Sequence, residues 1–348
     1  MLKNLLVKLA EGNELTSREC VFAMDRIMDG RVSNIQLSAF LAALAVKGCT
    51  DTEITGFAQG MREHSLKVEH HLDLFEIVGT GGDTAKTFNI STTAAFVIAA
   101  GGVLVAKHGN RAKTSRSGSA DMLEALGGNI FLEPDSCLEM LHTIGICYFY
   151  TRYYYYMMKH IDSVREELGI PTIFDVLRPL TNPARAKYEL LGVNKKKLVE
   201  PMARVLSNLG VVRGMVVYGQ DGSDEISASA ATTVCEFTGN SFKTYEIRPE
   251  DFCLIRCRPD ELAGGTPKKN AAIARSILNG EKSAKRTAII MNAGAGLYIC
   301  GKALTLEAGM KEAARLIDSG KAMQKLDEFL KMSQQLSAIE RSRVSEFL

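Results

Sequence analysis

The stretch Ile77-Val-Gly-Thr-Gly-Gly-Asp-Thr-Ala-Lys-Thr-Phe-Asn-Ile-Ser-Thr92 decides how the rest of the chain is read. The apolar run Leu74 to Val78 ahead of it has the length and branching of a buried strand. It runs directly into Gly79, Gly81 and Gly82, with Asp83 behind them. Glycines packed this closely let backbone N–H groups approach an anion, at positive φ where the turn requires it. Asn89, Ser91, Thr92 and Thr93 then supply short polar side chains where the apolar run Ala94 to Ala100 begins a helix. A helix N-terminus rich in hydroxyls suits a phosphate. The pattern predicts a strand, an anion-cradling loop, and a helix whose first turn holds a second phosphate. An ordinary glycine-rich turn is the plain alternative.

Two common nucleotide motifs are excluded. A P-loop ending at Lys86-Thr87 would need glycine at positions that hold Thr80 and Ala85. A dinucleotide fingerprint beginning at Gly79 would need glycine at 84, which is threonine.

A second stretch, Lys107-His-Gly-Asn-Arg-Ala-Lys-Thr-Ser-Arg-Ser-Gly-Ser-Ala-Asp121, leaves the apolar strand 102–106 and enters a helix over 119–126. Lys107, Arg111, Lys113 and Arg116 give this loop a high positive density, and it reads either as a solvated loop or as an anion site. Parallel α/β sheets bind ligands at the carboxyl ends of their strands, where this loop and the first would meet. His108 reads as structural. A third stretch, Asp221-Gly-Ser-Asp-Glu225, follows the apolar strand Met215 to Tyr218. Adjacent carboxylates at a strand end need a cation to offset their repulsion. Beside two phosphate loops, hard oxygen ligands point to Mg²⁺; alone, they read as an acidic turn.

Around these stretches the chain divides in two. Residues 1–70 read as helices only, at roughly 2–11, 17–29, 34–47 and 51–64. Gly12, Gly30 and Gly48 stand as C-cap glycines, and Thr16/Glu19, Ser33/Gln36 and Thr50/Glu53 as capping boxes. Part of 160–190, rich in proline, is expected to rejoin this helical domain, and its prolines argue against sheet over 153–191. From 73 to 348 strands and helices alternate, the signature of a mostly parallel α/β sheet. Expected strands are 74–78, 102–106, 129–131, 146–149, 213–218, 232–237, 242–247 and 287–291. Helices are expected at 91–100, 119–126, 271–278, 294–302, 306–319 and in the tail from 322.

At 348 residues, the chain is long enough for two domains. A net charge of +2 gives no general attraction to nucleic acid or membranes. Eight scattered cysteines without a Cys-x-x-Cys pair read as reduced thiols of a cytoplasmic protein. The first residues read as an amphipathic helix rather than a signal peptide, and the longest apolar run is too short and glycine-broken to span a bilayer.

Taken in order, Gly-Thr-Gly-Gly-Asp at 79–83, Thr-Phe-Asn-Ile-Ser-Thr at 87–92, Lys-His-Gly-Asn-Arg at 107–111, Ser-Gly-Ser-Ala-Asp at 117–121 and Asp-Gly-Ser-Asp-Glu at 221–225 resemble the anthranilate phosphoribosyltransferase family. Arg165-Glu-Glu-Leu-Gly, Pro179-Leu-Thr-Asn-Pro183 and Asn292-Ala-Gly-Ala extend the resemblance over nearly the whole chain. It implies a small helical domain beside a larger α/β domain of the nucleoside phosphorylase and phosphoribosyltransferase kind, and a homodimer through the helical domains. It also implies a glycosyltransferase of tryptophan biosynthesis that uses phosphoribosyl pyrophosphate and two Mg²⁺ ions. By the same resemblance Gly79, Gly82, Asp83, Thr87, Asn89, Ser91, Thr92, Lys107 and Ser119 hold the donor. Ser91, Asp224 and Glu225 hold the metal. The resemblance also implies Lys107, Asn110 and Arg165 as the catalytic set and Gly79, Asn110 and Arg165 at the acceptor, where Tyr155 and Arg178, which depart from the family, are expected too.

The acceptor side departs from the family. The family's Phe-Ala-Pro-x-x-His-Pro-Ala-Met is here Tyr150-Thr-Arg-Tyr-Tyr-Tyr-Tyr-Met-Met158, so Arg152 stands for proline and Tyr155 for histidine. Its Phe-Asn-Leu-Leu-Gly-Pro-Leu is here Phe174-Asp-Val-Leu-Arg-Pro-Leu180, with Arg178 for glycine. Either the arginines turn to solvent or to Asp175, leaving anthranilate as acceptor, or the pocket takes a smaller or more anionic aromatic acceptor. Other classes weighed are a nucleoside phosphorylase and a non-catalytic relative that binds nucleic acid.

Overall fold

The computed structural model describes residues 2–82, 85–112, 116–155 and 158–346. The chain opens with four helices, α1 (Leu2–Ala10), α2 (Ser17–Met28), α3 (Asn34–Lys47) and α4 (Asp51–Glu63). Each of the last three begins with the expected reciprocal cap: Thr16, Ser33 and Thr50 accept from the backbone three residues on, and Glu19, Gln36 and Glu53 reach back. Phe40 and Phe57 meet edge-to-face at the centre of this bundle, with centroids 6.0 Å apart.

The α/β part follows with β1 (Leu74–Gly79), α5 (Ile90–Ala100), β2 (Leu104–Gly109), α6 (Ser119–Leu126), α7 (Pro134–Ile144) and β3 (Ile146–Tyr150). Three short helices come next, α8 (Thr151–Tyr154), α9 (Met158–Leu168) and α10 (Ile173–Leu177); α9 and α10 return to pack on α3 and α4. Then come β4 (Tyr188–Gly192), α11 (Val199–Asn208), β5 (Arg213–Gly219), β6 (Thr232–Thr238) and β7 (Ser241–Ile247). The chain closes with α12 (Pro267–Leu278), α13 (Ala284–Ile299), α14 (Leu306–Asp318) and α15 (Lys321–Glu346).

The seven strands form one sheet in the order β3-β2-β1-β4-β5-β6-β7. The first five are parallel, and β6 and β7 complete it antiparallel. From β1 the chain moves outward through β2 and β3, then returns to place β4 on the other side of β1. The switch point therefore lies between β1 and β4, and the crevice at their carboxyl ends is where such sheets bind ligands. No helix among the described residues is long and apolar enough to cross a membrane.

Three expectations are corrected. Residues 287–291 are not a strand but the middle of α13, buried on nearly every side between α5 and α14. A short apolar run buried all round carries no periodicity by which to tell the two apart. Residues 129–131 form no strand either. They are a connection tied to α15, where Asn129 N–H donates to Ser333 Oγ at 3.1 Å and its amide to Ser337 Oγ at 2.7 Å. Finally, β4 lies inside the stretch from which sheet was excluded, and it is central. The prolines at 171, 179 and 183 all end before it begins. A glutamate in mid-strand, Glu189, hid its apolar character.

Candidate active site

Three loops close over the carboxyl ends of β1 and β2. The first leaves β1 at Gly79. A Cβ there would collide with the Asp224 carboxylate, and one at Gly192 with the Asp224 backbone. Glycine at the ends of two neighbouring strands is thus what lets the 221–229 loop cross the sheet. Gly81 and Gly82 follow at φ 69° and 70°, left-handed values that favour glycine. The loop is tied to β4 by Thr80 N–H donating to Gly192 O at 2.9 Å and by the Asn194 amide donating to Gly81 O at 2.8 Å. Asp83, predicted to hold the donor, lies outside the described residues.

Carboxylates already sit on the anion-binding amides. Gly81 N–H donates to Asp224 Oδ2 at 2.7 Å, and Ser91 N–H, at the first turn of α5, to Glu225 Oε1 at 3.0 Å. At both predicted phosphate sites the amides are thus engaged by the chain's own carboxylates, the kind of group that helix termini and glycine nests favour. The acidic loop is anchored from behind by Asn292, whose amide donates to Ile226 O at 2.9 Å while its Oδ1 accepts from Ile226 N–H at 3.0 Å. Asn292-Ala-Gly-Ala is thus a positioning motif. Among the described residues no three His, Cys, Asp or Glu side chains form a metal cluster. Mg²⁺ needs none when it arrives with a polyphosphate, because it keeps waters and takes one or two carboxylates plus phosphate oxygens. Asp224, Glu225 and the Ser91 hydroxyl, all lining the same cleft, fit that donor set.

The second loop leaves β2 at Gly109, where a Cβ would collide with Ser119 Oγ. That hydroxyl lies 2.8 Å from Tyr148 Oη. Asp121 Oδ2 accepts from the Ala112 and Gly118 amides, each at 2.8 Å, and so shapes the loop. Lys113 lies outside the described residues. Lys107 is buried at the cleft wall, its Nζ donating to His108 O at 3.0 Å and standing 4.0 Å from Glu76 Oε1. Burial pulls its pKa down, while Glu76, Glu225, Asp224 and Glu189 oppose that shift. Thr87 and Thr92 line the cleft too. Asn89 braces it: its amide donates to Ser117 O at 3.2 Å, and its Oδ1 accepts from the Asn270 amide at 2.8 Å. Sequence reasoning missed Asn270, four residues after the N-cap Thr266 of α12 and distant in sequence from everything it serves.

A second cavity of about 230 Å³ adjoins the first, and Asn110, Thr151 and Arg178 belong to the walls of both. Asn110 Oδ1 is buried there without a hydrogen-bond partner among the described residues. Arg165 faces this cavity from α9, held by Thr172 Oγ1 at 3.0 Å, Asp162 Oδ1 at 3.1 Å and Asp175 Oδ1 at 2.5 Å. Its guanidinium lies 5.5 Å from the centre of the Phe174 ring. Arg178 reaches the same Asp175 oxygen at 3.3 Å, the expected pairing, and also lines the cavity. Arg152 is more exposed, with Asp162 3.8 Å away. Tyr155 is placed elsewhere. It is fully buried, donates to Thr181 O at 2.9 Å, and has its hydroxyl pushed up to about 12 by burial. It lines neither of the two adjoining cavities.

Residues 71–323 match the α/β domain of a glycosyl transferase family, and residues 3–65 match its helical bundle domain. The chain is 49% identical over 330 residues to the anthranilate phosphoribosyltransferase of Methanobrevibacter smithii, covering 95% of this chain and 98% of that one. The chain belongs to the anthranilate phosphoribosyltransferase family. The family member of Lachnoclostridium phytofermentans is 48% identical, covering 96% and 99% of the two chains. Among solved structures of the family, that from Thermus thermophilus superposes with a TM-score of 0.90 at 40% identity, covering 94% of this chain and 99% of that one. That from Saccharomyces cerevisiae in complex with PRPP and Mg superposes with a TM-score of 0.88 at 29% identity, covering 96% and 98%.

Beneath the family site lies a buried polar layer that joins the two domains. His108 Nδ1 lies 2.7 Å from Glu76 Oε2, and its Nε2 donates to Arg178 O at 3.0 Å. The Asn182 amide donates to Ala106 O at 2.7 Å and to the Glu76 carboxylate. Arg62, buried on α4, donates to Leu180 O at 2.7 Å. His108 is thus the structural residue it was expected to be, fixing the backbone that carries Arg178.

Proposed function

We propose that this chain transfers the phosphoribosyl group of phosphoribosyl pyrophosphate to the amine of anthranilate, with release of pyrophosphate, as a step of tryptophan biosynthesis. One observation carries the reading. Two anion-binding loops and an acidic loop converge on a single cleft, and an arginine-lined cavity opens from its wall at Asn110.

The reaction breaks the bond between C1 of the ribose and the pyrophosphate oxygen, and the electron pair leaves with pyrophosphate. The amine lone pair forms the new N–C1 bond, and the amine proton passes to solvent. Negative charge grows on the leaving group, so donors fixed at that position lower the barrier most. In this reading Lys107 supplies the fixed positive charge, the Gly81 and Ser91 amides hold Asp224 and Glu225 in position, and Gly79, Gly82, Thr87, Asn89, Thr92 and Ser119 shape the cradle. Mg²⁺, for which we infer two ions per subunit held by Ser91, Asp224 and Glu225, neutralises the departing pyrophosphate when bound. An aromatic amine is neutral at pH 7, so no strong general base is required. Asn110 offers its buried Oδ1 to the amine N–H, Arg165 faces the acceptor carboxylate, and orientation supplies most of what remains.

The helical domain exposes Val7, Ile35 and Val46, the last two more than four-fifths accessible, and we infer a homodimer through this domain. Light scattering at micromolar concentration tests it, and a monomer would remove the dimer. For the reaction, pyrophosphate release is followed with both substrates and Mg²⁺. Release that requires anthranilate is the expected result; release without it, or none, contradicts the reading.

A further inference from the structure

Four arginines face the second cavity, and they share three carboxylate partners unequally. Among the described residues Arg111, Arg152, Arg165 and Arg178 line it with one lining carboxylate, Asp162, while Glu124 pairs with Arg111 and Asp175 with Arg165 and Arg178. The four guanidinium groups are not equally engaged. Arg165 is held on three sides by Asp162, Thr172 and Asp175, and Arg111 is bound to Glu124 at 2.7 Å. Among the described residues the Arg178 side chain has one hydrogen bond, at 3.3 Å, to an Asp175 oxygen that Arg165 already holds at 2.5 Å. Among the described residues the ion pair of Arg152 is with Asp162, at 3.8 Å. Arg178 is also fixed at its backbone, because its carbonyl accepts from His108 Nε2 and its chain continues into Pro179. Its guanidinium therefore works from a rigid base, and burial there penalises its charge more than Asp175 compensates. An anion arriving in the cavity would relieve that penalty.

We propose that Arg178, with Arg152 at the outer side of the same cavity, recognises a second anionic group on the acceptor. The acceptor range then includes anthranilates that carry an additional carboxylate at ring position 4 or 5, away from the reacting amine. The inference rests on the transferase reading above and adds a substrate class to it. A planar guanidinium pairs bidentately with a carboxylate, and that geometry discriminates against a ligand lacking the group.

The test compares kcat/KM for anthranilate and for its 4- and 5-carboxy derivatives in the native chain, Arg178→Gly, Arg178→Lys and Arg152→Ala. The native chain should turn over at least one dicarboxylate. Arg178→Gly should lower the ratio of dicarboxylate to anthranilate kcat/KM by about 10-fold or more, the size of a charge-assisted hydrogen bond. Arg178→Lys should restore part of that ratio, and Arg152→Ala should lower it less. Protection from thermal unfolding by phosphoribosyl pyrophosphate confirms in each variant that the fold is intact. An unchanged ratio in Arg178→Gly, or neither turnover nor inhibition by either dicarboxylate in the native chain, overturns the proposal. Absence of anthranilate turnover in the native chain would instead overturn the transferase reading.

Discussion

The proposed donor and acceptor sides of the cleft are built by different means. The donor side is mostly backbone and short side chains at strand ends, where Gly79, Gly109 and Gly192 admit close approach and Asp224 and Glu225 cap the amides. The acceptor side is long arginines on short helices that cross from the sheet to the helical domain, balanced by Asp162 and Asp175. A site made of backbone tolerates little change in its residues, because a single Cβ closes it. A site made of long side chains can be retuned by one substitution. Specificity is therefore expected to vary on the arginine side and the donor chemistry to stay fixed.

The contrast can be broken most sharply at the acidic loop. Replacing Asp224 and Glu225 together with alanine should cost at least about 10³-fold in turnover, because the charge on the leaving group loses its metal. A drop of less than tenfold in steady-state rate would place the metal elsewhere. Lys107→Met should lower kcat by about 10²-fold, the usual cost of one fixed donor aimed at developing charge. On the other side, Arg165→Ala should act chiefly through KM for anthranilate, raising it about 10- to 100-fold as one charge-assisted interaction is lost. If KM for phosphoribosyl pyrophosphate rose equally, the two sides would not be separable.

The difference between the sides also governs what could be read from sequence. The donor loops were legible because glycine spacing and paired acids are local signals, and their strands begin in plain apolar runs. The helical domain was legible for the same reason, each capping box being visible within four residues. What failed was structure whose cause lies far along the chain. β4 carries Glu189 into the core beside Glu76, with which it is in register on the neighbouring strand, and no window of sequence shows that Arg62 and Lys107 stand near enough to act on it. Asn182 and Asn270 are polar residues in a loop and a helix whose partners come from the sheet and from α5's N-terminus. The strand expected over 287–291 failed because an all-round apolar segment fits either element.

The buried pair offers the smallest predicted effect. Burial, then the neighbouring Glu76, raises the pKa of Glu189 well above the carboxylate range, and one of its oxygens has no partner among the described residues. The folded chain thus keeps a proton that the unfolded chain releases above its ordinary pKa. This stability is full below that ordinary value and is lost as pH rises toward the folded one, by up to about 1.4 kcal/mol per pH unit. Glu189→Gln should flatten this part of the profile and raise the melting temperature at neutral pH. Urea melts across the acid-to-neutral range would show it, and a variant with an unchanged slope would mean that Glu189 is ionised in the folded chain.

The central claim is that one cleft joins the donor loops to an aromatic amine. Following anthranilate fluorescence in the presence of the chain, phosphoribosyl pyrophosphate and Mg²⁺ tests it most directly. The account predicts a decay that needs all three and stops on addition of EDTA. Persistent fluorescence, together with no protection of the fold by phosphoribosyl pyrophosphate and Mg²⁺, would contradict it.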